Sequence, residues 1–244
     1  MTSLGRNGIV DGAIVELAGL EALIEPYDWV FARERADEVA AHWAKLSAGK
    51  PAMFNGRVML QHRAAIVDGV FRAGYFETDY AAFISWRDFG HPGPVVRNGF
   101  AMAALRAADG AFLCGVMGQH TANPGKVYFA AGTPDREDAR PDGTLDLAGS
   151  VTRELCEETG LRLDEITVEE SWTAVILPGR IAFMRPVSIA MPAEAARALM
   201  LARMATQDEP ELADIVIVRG PEDAERLDMP LFMRPYLAHI WRQD

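Results

Sequence analysis

The stretch LAGSVTRELCEETGL, from Leu147 to Leu161, decides the fold. We predict a helix over 147–159 that ends where Gly160 stands, since glycine adopts the left-handed backbone of a helix C-cap at little cost. A strand and a glycine-containing loop precede this helix. That setting is typical of an α/β protein in which helices pack on a sheet.

Three carboxylates share one side of this predicted helix. Glu154, Glu157 and Glu158 stand at i, i+3 and i+4, so their side chains fall within one arc of the helix surface. Like charges at this spacing repel one another, and Arg153 can pair with Glu157 but cannot balance all three. A solvated surface helix is one interpretation of the pattern. A hard divalent cation such as Mg²⁺, which prefers oxygen ligands, is the other.

The segment from Arg153 to Leu161 resembles the second half of the Nudix box and matches its pattern, Arg-Glu-apolar-x-Glu-Glu-x-Gly-apolar, at every specified position. The first half departs, because strict spacing would place its Glu at Leu145 and its Gly at Ala139. The residues 130–133 resemble the glycine turn of the family instead. Asp146 lies one residue past the expected Glu, and we expect it to take over the supporting role.

The resemblance implies a metal site and its ligands. Glu154, Glu157 and Glu158 would hold Mg²⁺ or Mn²⁺, and Gly132 would add its backbone carbonyl. Arg153 would orient the carboxylates through a salt bridge, so that Arg153, Glu157 and Glu158 form the catalytic set.

The general base is left open by the resemblance. Glu158 is the nearest candidate, but a later loop supplies the base in many members of the family. Asp208, Glu209 and Glu211 are therefore alternative bases. Their other interpretation is that of solvated loop charges.

The implied reaction is hydrolysis of a diphosphate bond in a nucleoside diphosphate linked to another moiety. The residues 54–56 and 78–83 are similar to the N-terminal part of a Nudix branch that hydrolyses UDP-sugars, which favours a nucleotide sugar such as UDP-glucose. Read locally, Asn55-Gly56 is a hairpin turn and Thr78-Asp79 a helix cap. ADP-ribose, CoA and dinucleoside polyphosphates are alternative substrates. Two alternative functions are a nucleotide-sugar sensor without turnover and an isomerase that uses Cys156.

Substrate contacts are expected from rings and cations scattered along the chain. The candidate stacking rings are Trp86, Tyr128, Phe129, Trp172 and Phe183, and the candidate phosphate or sugar contacts are Arg97, Arg106, Lys126 and Arg180.

The composition of the chain limits the classes of partner that we expect it to bind. The formal net charge of −11 disfavours long nucleic acid, whose phosphates need neutralising contacts. No stretch approaches the roughly 18 apolar residues of a membrane span, and residues 1–20 show no positively charged start followed by an apolar core. We therefore predict a cytoplasmic protein whose partner is a small nucleotide. The resemblance adds a homodimer to the expectations.

The expected architecture is an α/β fold: a Nudix-like α/β/α sandwich with a mixed sheet, preceded by an N-terminal α+β extension. We place the boundary in the Gly- and Pro-rich stretch that ends at 94, which gives an extension over 1–94 and a catalytic domain over 95–244. The predicted helices cover 27–46, 147–159, 193–206 and 231–242, with another starting near 78. The predicted strands cover 57–63, 69–76, 100–106, 111–117, 126–130, 166–177, 181–191 and 212–218.

Overall fold

Two β-sheets form the framework of the protein. The computed structural model describes residues 8–48, 53–93 and 96–243. Over these ranges the strands are β1 Ile14–Leu17, β2 Gly19–Ile24, β3 Arg57–Val67, β4 Val70–Asp79, β5 Asn98–Ala107, β6 Phe112–Met117, β7 Val127–Tyr128, β8 Ile166–Val168, β9 Trp172–Leu177, β10 Arg180–Ile189 and β11 Leu212–Val218. The helices are α1 Val30–Glu34, α2 Ala36–Ser47, α3 Tyr80–Asp88, α4 Leu147–Thr159, α5 Ala193–Met204, α6 Pro221–Arg226 and α7 Met233–Trp241.

The larger sheet has eight strands in the order β1-β9-β10-β5-β6-β11, with β7 paired to β6 and β8 to β10. β10 and β5 run parallel while their neighbours are antiparallel, so the sheet is mixed. Because Phe183 is in register with Ala101, the side chains of Phe183 and Phe100 leave opposite faces of the sheet. Phe183 meets Phe71 and Phe100 meets Phe232, so both faces are covered. The predicted α/β class with a mixed sheet between helices is confirmed.

The smaller sheet has the order β2-β4-β3 and packs against α1, α2 and α3 around a second apolar core. β1, from the same N-terminal part of the chain, is an edge strand of the larger sheet through its pairing with β9. A bridge between Gln61 and Arg97 joins the two parts again. The predicted boundary at 94/95 lies outside the described residues and stays a prediction, and described residues on both sides of it contribute to the main core.

Several elements differ from the sequence prediction. The helix expected over 27–46 is two helices, because Arg35 leaves the helical conformation and places its guanidinium over the rings of Phe31 and Phe89. The strand expected over 166–177 is interrupted between β8 and β9, which pair with opposite ends of β10. β1, β2 and α6 were not expected. No helix in the described ranges combines the length and the hydropathy needed to cross a bilayer.

The start of α3 shows how the N-terminal region is fixed. Asp79 occupies the N-cap position, but its side chain makes no capping hydrogen bond. The backbone N–H of Ala81 instead donates to Oδ1 of Asn55 at 2.7 Å. The cap expected from Thr78-Asp79 is therefore supplied by a residue far away in sequence.

Replacing Asn55 should destabilise α3 more than replacing Asp79. We expect Asn55→Ala to lower the free energy of unfolding by about 1 kcal/mol, the usual value of an N-cap. Asp79→Ala removes only an exposed ion pair with Arg57 and should cost less than about 0.5 kcal/mol. Urea denaturation of the two variants measures this difference. A larger loss for Asp79→Ala would contradict the assigned cap.

Candidate functional site

The helix that carries the predicted site is α4, and local signals define both its ends. At its start Asp146 accepts a hydrogen bond from the backbone N–H of Gly149 at 2.8 Å. At its end Gly160 has a φ of 71°, the left-handed conformation that glycine adopts at little cost. Val151 and Leu155 are buried and anchor the helix to the main core. The predicted bounds of this helix are confirmed.

The three predicted carboxylates do not share one environment. Glu158 is 5% exposed, and its Oε1 accepts a hydrogen bond from the backbone N–H of Ala131 at 3.3 Å. Its Oε2 is buried and has no hydrogen-bond partner. Glu157 has a side chain that is 61% exposed and lies 3.5 Å from the guanidinium of Arg153. The structure brings Glu154 and Glu158 to the loop at 131–132, whereas Glu157 lies toward solvent.

Gly132 contacts the carboxylate of Glu154 closely. A Cβ atom on Gly132 would lie 2.5 Å from Oε1 of Glu154, which is too short for any real side chain. A side chain at this position would therefore displace the carboxylate of Glu154 from the loop. The predicted partners Gly132 and Glu154 are adjacent in space.

The two inward carboxylates have perturbed pKa values. Burial raises the pKa of Glu154 to about 7, with Arg153 opposing the shift and Glu157 adding to it. Burial raises the pKa of Glu158 well above its usual range, and the charges of Glu211 and Glu154 raise it further. Each carboxylate is thus buried among like charges, the condition that most disfavours its ionised form.

The alternative bases separate in the structure. Glu211 is close enough to influence both Glu158 and Glu154 electrostatically, and its backbone carbonyl accepts from the N–H of Gly118 at 2.7 Å. All three side chains are exposed, and neither Asp208 nor Glu209 is among the main charges that shift the pKa of these carboxylates.

The residue that supports Arg153 is Asp138, which sequence reasoning missed. Asp138 is buried; its Oδ1 accepts from Arg153 at 2.8 Å and its Oδ2 accepts from the N–H of Asp135 at 3.1 Å. The expectation that Asp146 supports the arginine was wrong, because Asp146 caps the helix and pairs with Arg140. Burial alone would lower the pKa of Arg153, but Asp138 and the neighbouring glutamates raise it. The supporting carboxylate lies in a loop, so no periodicity in the sequence marks it.

The residues around α4 fit a divalent cation only in part. Among the described residues no group of three or more His, Cys, Asp or Glu side chains is arranged to hold a metal ion. Two features nevertheless favour a cation: the partnerless Oε2 of Glu158, and the crowding of Glu154, Glu158 and Glu211 with one guanidinium beside them. Carboxylate oxygens and a backbone carbonyl are the ligands that Mg²⁺ and Mn²⁺ prefer.

A cleft with a volume of about 160 Å³ begins at this loop. Ala131, Gly132 and Thr133 line one part of it, while Arg87, His91, Asn98 and Arg180 line another. The aromatic side chains that line it are Tyr80, Phe83, Trp86, Phe100, Tyr128 and Phe232.

Of the predicted contacts, Trp86, Tyr128 and Arg180 belong to the cleft. Phe129, Trp172 and Phe183 are buried in the main core instead. Lys126 pairs with Asp228 and Arg97 with Asp11, outside the lining of the cleft.

No family model matches the chain, and no curated protein matches it. The solved structures to which it is similar include "a Nudix Hydrolase from M. Smegmatis, RenU", at 17% identity, covering 62% of this chain and 86% of that one with a TM-score of 0.39. A C. elegans Ap4A hydrolase binary complex is 15% identical, covers 59% of this chain and 95% of that one, and has a TM-score of 0.42. A MutT protein from Methanosarcina mazei Go1 is 17% identical, covers 60% of this chain and 94% of that one, and has a TM-score of 0.37. All three TM-scores are below 0.5, so we derive neither family membership nor activity from them.

Asp138 and Asp146 can be distinguished by matched substitutions. Asp138→Asn replaces a buried charge-assisted hydrogen bond and should lower the free energy of unfolding by about 2 kcal/mol. Asp146→Asn should cost less than about 0.5 kcal/mol, because asparagine caps a helix as well as aspartate. Guanidinium denaturation of both variants is the measurement. Equal losses would mean that Asp138 does not hold Arg153 as described.

Proposed function

We propose that the protein is a metal-dependent hydrolase of the Nudix type that cleaves the diphosphate bond of a nucleoside diphosphate linked to another moiety. One observation carries this proposal: the carboxylates of Glu154 and Glu158 meet beside the loop at 131–132, and Oε2 of Glu158 is buried without a partner. A buried carboxylate of this kind is costly unless something neutralises it. A divalent cation satisfies that need, and its remaining coordination positions can bind the oxygens of a diphosphate.

The proposed ligands are Glu154, Glu157 and Glu158 with the carbonyl of Gly132, and the proposed ion is Mg²⁺ or Mn²⁺. When bound, such an ion lowers the pKa of water and neutralises charge on phosphate oxygens. Glu157 would join this set by a change of rotamer, since its side chain is exposed and held only by a 3.5 Å contact with Arg153.

Arg153 is the positioning residue of this site. Its guanidinium lies 3.0 Å from Glu154 and 3.5 Å from Glu157, and Asp138 fixes it from behind. The arginine thereby limits the rotamers of two neighbouring carboxylates. We propose that its role is to keep these carboxylates oriented while the substrate binds.

Glu211 is the proposed general base. It lies near Glu158 but does not belong to α4, which carries the proposed metal ligands. It can therefore accept a proton from a water molecule without also having to bind the metal. Glu158 itself has a pKa raised by burial, and it is occupied by the N–H of Ala131.

The cleft supports a nucleotide-derived substrate. Tyr80 and Phe100 are only partly buried and offer ring faces for stacking. A nucleotide sugar is the favoured substrate, with ADP-ribose, CoA and dinucleoside polyphosphates as alternatives. We further propose a cytoplasmic protein and a homodimer, with a small nucleotide and no long nucleic acid as partner.

A second candidate function is a nucleotide-sugar sensor without turnover. The observation that favours it is the outward position of Glu157, which leaves no described trio of acidic side chains arranged for a metal. An isomerase that uses Cys156 is disfavoured. Burial raises the pKa of the Cys156 thiol, and Glu157 and Glu165 raise it further, so little reactive thiolate forms at neutral pH.

Incubation with Mg²⁺ or Mn²⁺ and a substrate panel tests hydrolysis. The panel contains UDP-glucose, ADP-ribose, CoA and a dinucleoside polyphosphate, with products identified by mass. We expect release of a nucleoside monophosphate, and a loss of activity of about 100-fold or more in Glu154→Gln, Glu157→Gln and Glu158→Gln, since each removes an anionic ligand.

Glu225→Gln is the matched control, because Glu225 is exposed on α6 and the same charge is lost there. It should retain full activity. Full activity in the Glu158→Gln variant would remove the metal assignment. Tight nucleotide binding without any product would favour the sensor.

Replacing each of the three candidate bases by its amide counterpart shows which one accepts the proton. Glu211→Gln should lower kcat by about 10²- to 10⁴-fold, the usual contribution of a general base, and should flatten the acid limb of the pH profile. Asp208→Asn and Glu209→Gln should behave as the wild-type protein does. A loss of kcat in either of these two, with Glu211→Gln active, would move the base to that residue.

A further inference from the structure

Arg180 is a cation that the proposed chemistry does not use. It begins β10, is about half buried and lines the cleft. Among the described residues its guanidinium has neither an ion-pair partner nor a hydrogen-bond partner. Arg87, which pairs with Asp88, lines the same cleft and lies near enough for the two positive charges to interact. We call Arg87 and Arg180 the arginine pair.

Other half-buried arginines of this protein have partners. Arg185, on the same strand as Arg180, donates to the backbone carbonyls of Glu169 and Ala148. Arg97 pairs with Asp11. A guanidinium that loses hydration without gaining a partner is destabilising, and here a second arginine adds repulsion. This arrangement is expected where an anionic ligand supplies the missing partner.

The arginine pair lies apart from the acidic site. Arg180 is in register with Asn98 at the start of β5. Ala130 is hydrogen-bonded to Ala103, five residues further along that strand, and the next residue, Ala131, donates to Glu158. Five residues of a strand span about 16 Å. A ligand can therefore reach both places only if it carries two separated polar groups.

Asn98 adds an independent sign of a ligand at this end. Its side chain leaves the sheet on the same face as Phe100, and its Oδ1 is buried without a hydrogen-bond partner. Buried polar atoms are rarely left unpaired in a folded protein. A hydroxyl or N–H group of a ligand held by Arg180 would satisfy this oxygen.

We infer that the arginine pair binds a second anionic group of the substrate, a phosphate or a carboxylate on the moiety that lies beyond the scissile diphosphate. This inference rests on the proposed function and names its substrate class: a nucleoside diphosphate derivative whose attached moiety is itself acidic. Arginine suits the role because its planar fork binds carboxylates and phosphates through two hydrogen bonds. In a chain of net charge −11, a local pair of cations is also what lets a multiply charged ligand approach.

The test uses two pairs of ligands that differ by one anionic group. UDP-glucuronate and UDP-glucose differ by a carboxylate on the attached sugar, and ADP-ribose 1″-phosphate and ADP-ribose differ by a phosphate on the attached ribose. Affinities are measured by calorimetry in EDTA, where hydrolysis cannot interfere, and kcat/KM is measured with Mg²⁺. The wild-type protein should prefer the more charged member of at least one pair by about 10-fold or more. Which pair shows the preference identifies the anionic group.

Arg180→Gln should weaken binding of the member with the extra anionic group by about 10- to 100-fold. Binding of the other member of the pair should stay nearly unchanged. Arg180→Lys, which keeps the charge and loses the fork, should recover part of the preference, and it provides a folded variant if glutamine disturbs the strand. Arg72→Gln is the control for net charge, since Arg72 is exposed on β4 and pairs only with Glu21.

The outcomes separate the inference from the proposed function. Absence of a preference in the wild-type protein, or equal losses for both members of a pair in Arg180→Gln, overturns the inference even when hydrolysis is observed. If binding shows a preference that depends on Arg180 but no ligand is hydrolysed, the inference is supported and the proposed hydrolase activity is refuted.

Discussion

Two acidic side chains on one turn of α4, buried against a loop with a single guanidinium beside them, set the constraint on which the site depends. Ionisation of both Glu154 and Glu158 is disfavoured there without a further positive charge, because burial and neighbouring negative charges act in the same direction. Arg153 offers little relief to Glu158, since it is shared with Asp138 and Glu157. The site therefore either takes up protons or takes up a cation.

The rest of the fold keeps this unfavourable arrangement in place. Gly132 has no side chain that could push the loop away from Glu154, and the N–H of Ala131 holds one oxygen of Glu158. At the far end of the helix, Arg203 donates to the carbonyl of Gly160 at 2.9 Å and to Glu165. Hydrogen bonds from Arg203 lower the pKa of Glu165 to about 2, so this pair stays ionised at any ordinary pH. These contacts oppose a shift of the whole helix that would move the carboxylates apart from the loop.

Sequence reasoning was most successful where the signals are local. The end of α4 was predicted because the cap residue Gly160 lies within the stretch itself, and most strands were predicted from their own apolar runs. Asn55 and Asp138 were missed because each acts on a residue outside its own element: one caps α3, and the other holds Arg153. A pattern along the chain carries no information about such contacts.

The same limit explains the different positions of the glutamates. At about 100° per residue, Glu157 and Glu158 lie on opposite sides of Glu154, so one arc of the helix includes all three. Periodicity alone does not tell which side of that arc meets the loop. The structure shows that it is the side of Glu158, which leaves Glu157 in solvent. In the proposed ligand set, two carboxylates are therefore fixed by the loop and the third must change rotamer.

The cleft links the N-terminal region to this chemistry. Tyr80 and Arg87 come from α3, whereas Arg180 and Phe232 come from the C-terminal half of the chain, so neither part forms the cleft alone. Its volume of about 160 Å³ is smaller than the roughly 300–1,000 Å³ of a site that encloses a whole drug-sized ligand. In the proposed function, the cleft therefore holds one portion of the substrate while another portion lies over α4. Under this proposal, selection among diphosphates rests on the cleft and cleavage rests on the helix, because the two are built from different elements.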